Sequence, residues 1–168
     1  EITYGDWSSD VCSSDLGLRR FLAIYNARPV RFTRPYTGIP EALSALQGRA
    51  TLAVLTNKPL DATRDVLGAL SLSAFFRPEF VLGGDGPFPR KPDPAALIHL
   101  AKAARTSIEE TVLVGDSLVD WQTAHASGAS AWLASWGFGF RGFPAELLDE
   151  TTVVLASPAD LRIERLQT

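Results

Sequence analysis

The feature that most restricts this chain is an alternation: apolar runs of strand length interleaved with stretches of helical spacing. The runs are TLAVLT (51–56), EFVLGG (79–84), TVLVGD (111–116), ASAWLAS (129–135) and TTVVLAS (151–157). A strand that is apolar on both faces needs cover on both faces, which helices supply. LDATRDVLGAL (60–70), DPAALIHLAKAA (93–104) and LVDWQTAHASG (118–128) lie between the runs and read as those helices. Asp93 is expected as an N-cap with Pro94 at the first helical position, and Gly128 as the closing residue of the third helix. IPEALSALQG (39–48) reads as a shorter helix, with Pro40 in its first turn and Gly48 at its end. The pattern predicts a doubly wound α/β fold: a parallel, Rossmann-like sheet with helices on both faces.

The chain has 168 residues, enough for one domain with a real core, and 46% of them are hydrophobic, which argues against disorder. Its formal charge is -3 with scattered Lys and Arg, so it carries no footprint for nucleic acid. No apolar run approaches the ~20 residues of a membrane span, and the N-terminus lacks the pattern of a secretion signal. The single cysteine, Cys12, rules out an intramolecular disulfide and suggests a reducing, cytoplasmic compartment.

Open α/β sheets bind ligands outside the carboxyl ends of their strands. Polar residues converge at those ends here. Asp116 ends the third run and Asp120 follows four residues later, on the same face of the entering helix turn. Two carboxylates at a strand end suit Mg²⁺, a hard cation that takes oxygen ligands and often phosphate as well. The plain alternative is that Asp116 and Ser117 only cap the helix. Lys91, between the second run and its helix, could neutralise a phosphate there, or be a solvated lysine before a capped helix. Thr56 and Asn57 end the first run with a hydroxyl and an amide that could bond phosphoryl oxygens, or simply form a strand-end turn. His99 and His125 have no partner at ligand spacing and read as surface or core-edge residues. Trp132, Trp136, Phe138 and Phe140 are expected to pack the end of the sheet. Neither GxGxxG nor GxxxxGK[ST] occurs.

TLAVLTNKP, GGDGPFPRKPDP and VLVGDSLVDWQTAHASG, in this order and each at a strand end, resemble the haloacid dehalogenase (HAD) superfamily. Within it they resemble the phosphoglycolate phosphatase group, over about residues 17–166. The resemblance implies a Mg²⁺-dependent phosphatase acting on a small phosphorylated metabolite through an aspartyl-phosphate. It casts Thr56 as the hydroxyl binding the transferring phosphoryl group. Lys91 matches the lysine steadying nucleophile and phosphoryl charge, Asp116 the Mg²⁺ ligand, and Asp120 the second acid of that motif. The family's first motif, DxDxT or DxDGT, supplies nucleophile and general acid/base from a central strand. This chain contains no DxD. By resemblance, residues 35–168 form the core without its first strand, and 17–34 the end of a helical cap with its return linker.

GDWSSDVCSSDL (5–16) fits neither helical nor alternating spacing. Its DWSSDVCSSDL resembles the translation of a common sequencing-library adapter, so residues 1–16 are expected to be non-native, which removes Asp6, Asp10 and Asp15 from consideration; the plain alternative is a genuine disordered N-terminal tail. A chain lacking the central strand is expected to be inactive, and marginally stable unless the remaining strands close up. Two rival readings stand beside this one. One is another HAD enzyme, such as a sugar-phosphate phosphatase, a pyrophosphatase or a phosphoglucomutase-like enzyme. The other is a non-catalytic phosphate- or cation-binding α/β module.

Overall fold

The computed structural model describes residues 16–17, 33–148 and 152–162. Contacts divide the chain into a unit over Glu1–Thr33 and a unit over Arg34–Thr168. Apart from Leu16, Gly17, Thr33 and Arg34, the adapter-like segment and the cap remnant expected over 17–34 lie outside the described residues.

In the second unit, helix α1 (Ile39–Leu46) buries Ala42 and Leu46. Strand β1 (Val54–Leu55), helix α2 (Leu60–Ala69) and strand β2 (Val81–Leu82) follow. Helix α3 (Ala95–Ala104), strand β3 (Val112–Gly115), helix α4 (Leu118–Ser127), strand β4 (Ser130–Ala134) and strand β5 (Val153–Leu155) come next. All ladders among the described residues are parallel, as buried apolar runs joined by helices require.

The single sheet expected from the alternation is divided. β1 pairs with β2, with Val54 opposite Val81 and Leu55 opposite Leu82. β4 pairs with β3 on one side, Leu113 opposite Ala131, and with β5 on the other, Leu133 opposite Val154. Among the described residues no ladder joins β1 to β3, and Val114, in the middle of β3, is 42% exposed. The two sheets nevertheless share one layer of helices. Leu55 of β1 and Leu113 of β3 both pack against a buried cluster of Leu97, Ala124, Ala129 and Ala131, contributed by α3, by α4 and by β4 with its approach. Leu133 and Leu155 are fully buried in the larger sheet, a hydrophobic contribution of about 1.5–3 kcal/mol each.

The strands of the smaller sheet are the shortest: β1 and β2 cover two residues each, where six were expected of β1. At β2 the expected strand loses its start to a 3₁₀ turn over Pro78–Phe80, because Pro78 fixes its φ and donates no hydrogen bond. Helix α3 begins one residue later than expected. Pro94 takes the capping position with φ −78°, and Asp93 reaches past it to accept the Ala95 N–H at 2.9 Å. Phe138 departs more sharply. It was expected to pack the sheet end beside Trp132, yet it is 85% exposed while Trp132 is buried. The flanking glycines turn the backbone tightly onto Asp116 and leave the ring on the outside.

Candidate active site

The carboxyl end of β1 is built on an interlock of two loops. The Thr56 N–H continues the ladder by donating to the Leu82 carbonyl at 3.1 Å, and the Thr56 hydroxyl accepts the Lys58 N–H at 3.1 Å. The β2–α3 loop lies directly on the β1–α2 loop: Asp85 Oδ1 accepts the Leu60 N–H at 2.8 Å, and the Gly84 N–H donates to the Lys58 carbonyl at 2.8 Å. A Cβ on Gly83 would stand 2.4 Å from the Leu60 nitrogen, and one on Gly84 2.3 Å from the Asn57 carbonyl oxygen. The glycine pair is there because two backbones touch.

Asn57 spends its side chain on the second loop. Its Oδ1 accepts the Lys91 N–H at 2.8 Å, and its Nδ2 donates to the Lys91 carbonyl at 3.0 Å. Arg90 Nε donates to the Gly84 carbonyl at 2.9 Å. The Lys91–Pro92 peptide is cis. With its backbone held on both sides, Lys91 extends its ammonium to Asp120 Oδ1, 2.5 Å away, and both side chains are largely buried. Thr56 and Lys91 line the same small cavity with Gly83 and Gly84.

Asp120 is held from both ends. Its Oδ2 accepts the Ser117 hydroxyl at 2.6 Å and the N–H groups of Asp116 and Ser117 at 3.2 Å each. Ser117 and Asp120 form a capping box that starts α4, so the turn leaving β3 is fixed by its own sequence. Burial pushes the Asp120 carboxyl up. The Lys91 ammonium, the Ser117 hydroxyl and the Asp116 N–H outweigh it, and the carboxyl sits below the usual aspartate value.

Asp116 is arranged differently. One oxygen, Oδ2, accepts the Gly139 N–H at 2.9 Å, from the turn that leaves β4. Its Oδ1 accepts no hydrogen bond from the described residues. The five residues singled out by sequence thus fall into one connected network. Asn57 holds Lys91, Lys91 meets Asp120, Asp120 caps the turn carrying Asp116, and Thr56 adjoins Asn57. Two of them have partners other than those expected. Asn57 is turned to the Lys91 backbone, and both Asp120 oxygens are bonded within the protein. Sequence reasoning missed Gly137 and Gly139, whose signal is the alternation of glycine and phenylalanine directly after the fourth apolar run. His99 lies against Phe88 and His125 stacks on Trp121, and neither joins the network.

The donor set fits a hard cation of modest protein ligation. Among the described residues no group of three acidic, histidine or cysteine side chains could enclose a metal. Mg²⁺ needs no such cage, since it keeps waters and takes one or two carboxylates beside a phosphate. Asp116 offers at a strand end one carboxylate oxygen that accepts no hydrogen bond from the described residues, which is the contribution such an ion asks for.

Fold and network together define a doubly wound α/β domain with a buried lysine–aspartate pair and a half-free carboxylate at the carboxyl edge of its strands. Residues 7–134 match the model of the haloacid dehalogenase-like hydrolases, and the chain belongs to that family. It is 33% identical over 163 residues to a phosphoglycolate phosphatase of Pseudomonas syringae pv. tomato, covering 94% of this chain and 59% of the relative. It is 38% identical over 130 residues to one of Cereibacter sphaeroides, covering 77% of this chain and 57% of the relative. A crystal structure of a predicted phosphoglycolate phosphatase from Haemophilus somnus superposes with a TM-score of 0.78 at 26% identity, covering 89% of this chain and 64% of that one. The chain thus spans less than two thirds of the length of these relatives. No helix among the described residues is long and apolar enough to cross a membrane.

Proposed function

We propose that this chain is the core portion of a Mg²⁺-dependent phosphatase of small phosphate monoesters, with phosphoglycolate the first candidate substrate. The observation that carries this reading is the arrangement at one strand edge. A lysine with a fixed backbone reaches Asp120, and the other oxygen of Asp120 accepts the backbone N–H of Asp116, whose own Oδ1 accepts no hydrogen bond from the described residues. The relatives point the same way. In this reading residues 35–168 are the core, 17–34 the end of a cap with its linker, and 1–16 an adapter-derived segment.

Lys91 neutralises phosphoryl charge, and its pairing with Asp120 holds the ammonium in place. The Thr56 hydroxyl accepts the Lys58 N–H and keeps its own proton to donate to a phosphoryl oxygen. Asp116 would hold Mg²⁺ through Oδ1, and the ion would supply charge neutralisation for the phosphoryl group. Asn57 acts one step removed, by fixing the Lys91 backbone. Nucleophile and general acid/base are carboxylates that this sequence lacks, since it has no DxD. The chain as given therefore turns nothing over.

The test is Mg²⁺-dependent phosphate release from phosphoglycolate, by the chain as given and by one in which a strand bearing the first motif precedes residue 17. The expected result is no turnover in the first and turnover in the second that Asp116→Asn abolishes. Hydrolysis by the unextended chain that survives Asp116→Asn would overturn the assignment. The absence of DxD favours one other reading, a phosphate-binding module. It gains support if the extended chain binds phosphate no differently and stays inactive.

A further inference from the structure

The turn after β4 closes on Asp116 from two sides. The Gly137 N–H donates to the Ala134 carbonyl at 3.0 Å, which bends the chain back as the strand ends. Gly137 is buried, and a Cβ there would lie 2.2 Å from the Asp116 Cβ and 2.5 Å from Oδ2. Nothing larger than hydrogen fits. Gly139 then delivers its N–H to Oδ2 at 2.9 Å, and a Cβ on it would stand 3.0 Å from the Asp116 carbonyl oxygen and 3.1 Å from Oδ1. An aspartate side chain alone at a strand end turns about χ2 and presents either oxygen. Here the contact at Gly137 and the bond from Gly139 leave one orientation, with Oδ2 occupied and Oδ1 accepting no hydrogen bond from the described residues.

We infer that Gly137 and Gly139 are positioning residues for a divalent cation: they fix the Asp116 carboxylate so that Oδ1 alone faces the ion. The inference rests on the reading of Asp116 as the cation ligand. Gly139 supplies the hydrogen bond and Gly137 the clearance that lets the turn approach. Outer partners that orient a ligand in this way change metal affinity by roughly 10–100-fold when lost.

The experiment is a titration of the full chain with Mn²⁺, followed by the electron paramagnetic resonance signal of the free ion, with Mg²⁺ as competitor. Asp116→Asn, Gly137→Ala, Gly139→Ala, Gly142→Ala and Leu155→Ala are compared with the parent chain. Gly142 lies in the same turn with nothing within 4 Å of a Cβ, and Leu155 is buried in the sheet. They control for a surface change and for lost stability. The amide proton shift of Gly139 reports the bond to Oδ2 without metal. It should move upfield in Asp116→Asn, and it carries the test for Gly139 if Gly137→Ala fails to fold. The expected result is that Asp116→Asn, Gly137→Ala and Gly139→Ala each raise the Mn²⁺ dissociation constant about tenfold or more, while the two controls leave it unchanged. If Asp116→Asn weakens binding and both glycine variants bind like the parent, the positioning role is wrong and the ligand assignment stands. If the parent binds no Mn²⁺, or Asp116→Asn binds as well as the parent, the ligand assignment fails and the inference with it.

Discussion

Replacing Lys91 by Met keeps the stem of the side chain and removes its charge. The consequence can be worked from the pair it breaks. The Lys91 and Asp120 side chains are 12% and 11% exposed, and the ammonium is the sole donor to Asp120 Oδ1 among the described residues. Removing one partner of a fully buried pair costs about 3–5 kcal/mol. Oδ2 keeps its three donors, so the loss is closer to that of one charged hydrogen bond, about 1.5–3 kcal/mol. That is a large share of the ~5–15 kcal/mol that holds a domain folded. The effect must also depend on pH with a definite sign. Burial raises the Asp120 carboxyl, but Lys91, Ser117 and the Asp116 N–H bring it below its ordinary value. A carboxyl lowered on folding contributes stability above its unfolded value of about 4, and this is lost as pH falls through the folded value. Urea unfolding of the parent chain and Lys91→Met at pH 7 and pH 3 measures this directly. The gap should be about 2 kcal/mol at pH 7 and shrink toward pH 3. A gap below about 0.5 kcal/mol at pH 7, or one that is the same at both pH values, would refute the reasoning.

Other expectations come from the same contacts. Leu155→Ala, at a site with no exposure, should cost about 2–5 kcal/mol in a urea melt. Ser117→Ala removes the N-cap of α4 and one donor to Asp120, and should lower stability by about 1 kcal/mol. Gly84→Ala drives a methyl against the Asn57 carbonyl; a loss of about 1–3 kcal/mol is expected, with shifted amide resonances at Asn57 and Lys91. Val114→Lys, on the open side of β3, should change the unfolding free energy by no more than about 0.5 kcal/mol, where a buried strand position would not tolerate it.

Much of the fold was legible because two periodicities, one for buried strands and one for helices, are strong in this chain. Gly128 was readable as the end of α4, and it closes the helix with φ 85°. Thr56, Lys91 and Asp116 could be placed at strand ends because the α/β rule needs only the order of elements. What each side chain bonds to could not be read. The Asn57 amide and the Lys91 backbone lie 34 residues apart, and only the loop interlock at Gly83 and Gly84 makes them meet. Phe138 failed for a related reason. Its hydrophobicity argues for burial, and a contact between its neighbours and a side chain 23 residues earlier decides the opposite. The 3₁₀ turn at Pro78–Phe80 was hidden inside an apolar stretch that suits strand and turn alike.

The division of the sheet bears on how the molecule breathes. No backbone ladder among the described residues crosses from β1 to β3, so side chains join the two halves: Leu55 and Leu113 on a common cluster, and Lys91 reaching Asp120. The larger half has its central strand paired on both sides, while β1–β2 is a ladder of two residue pairs. Amide protons should exchange in two populations, slowest around Leu133 and fastest in β1–β2, whose opening breaks few bonds. That places Thr56 and Asn57 in the half that opens first and Asp116 in the half that opens last. This strand edge is then assembled only while both halves are closed at once.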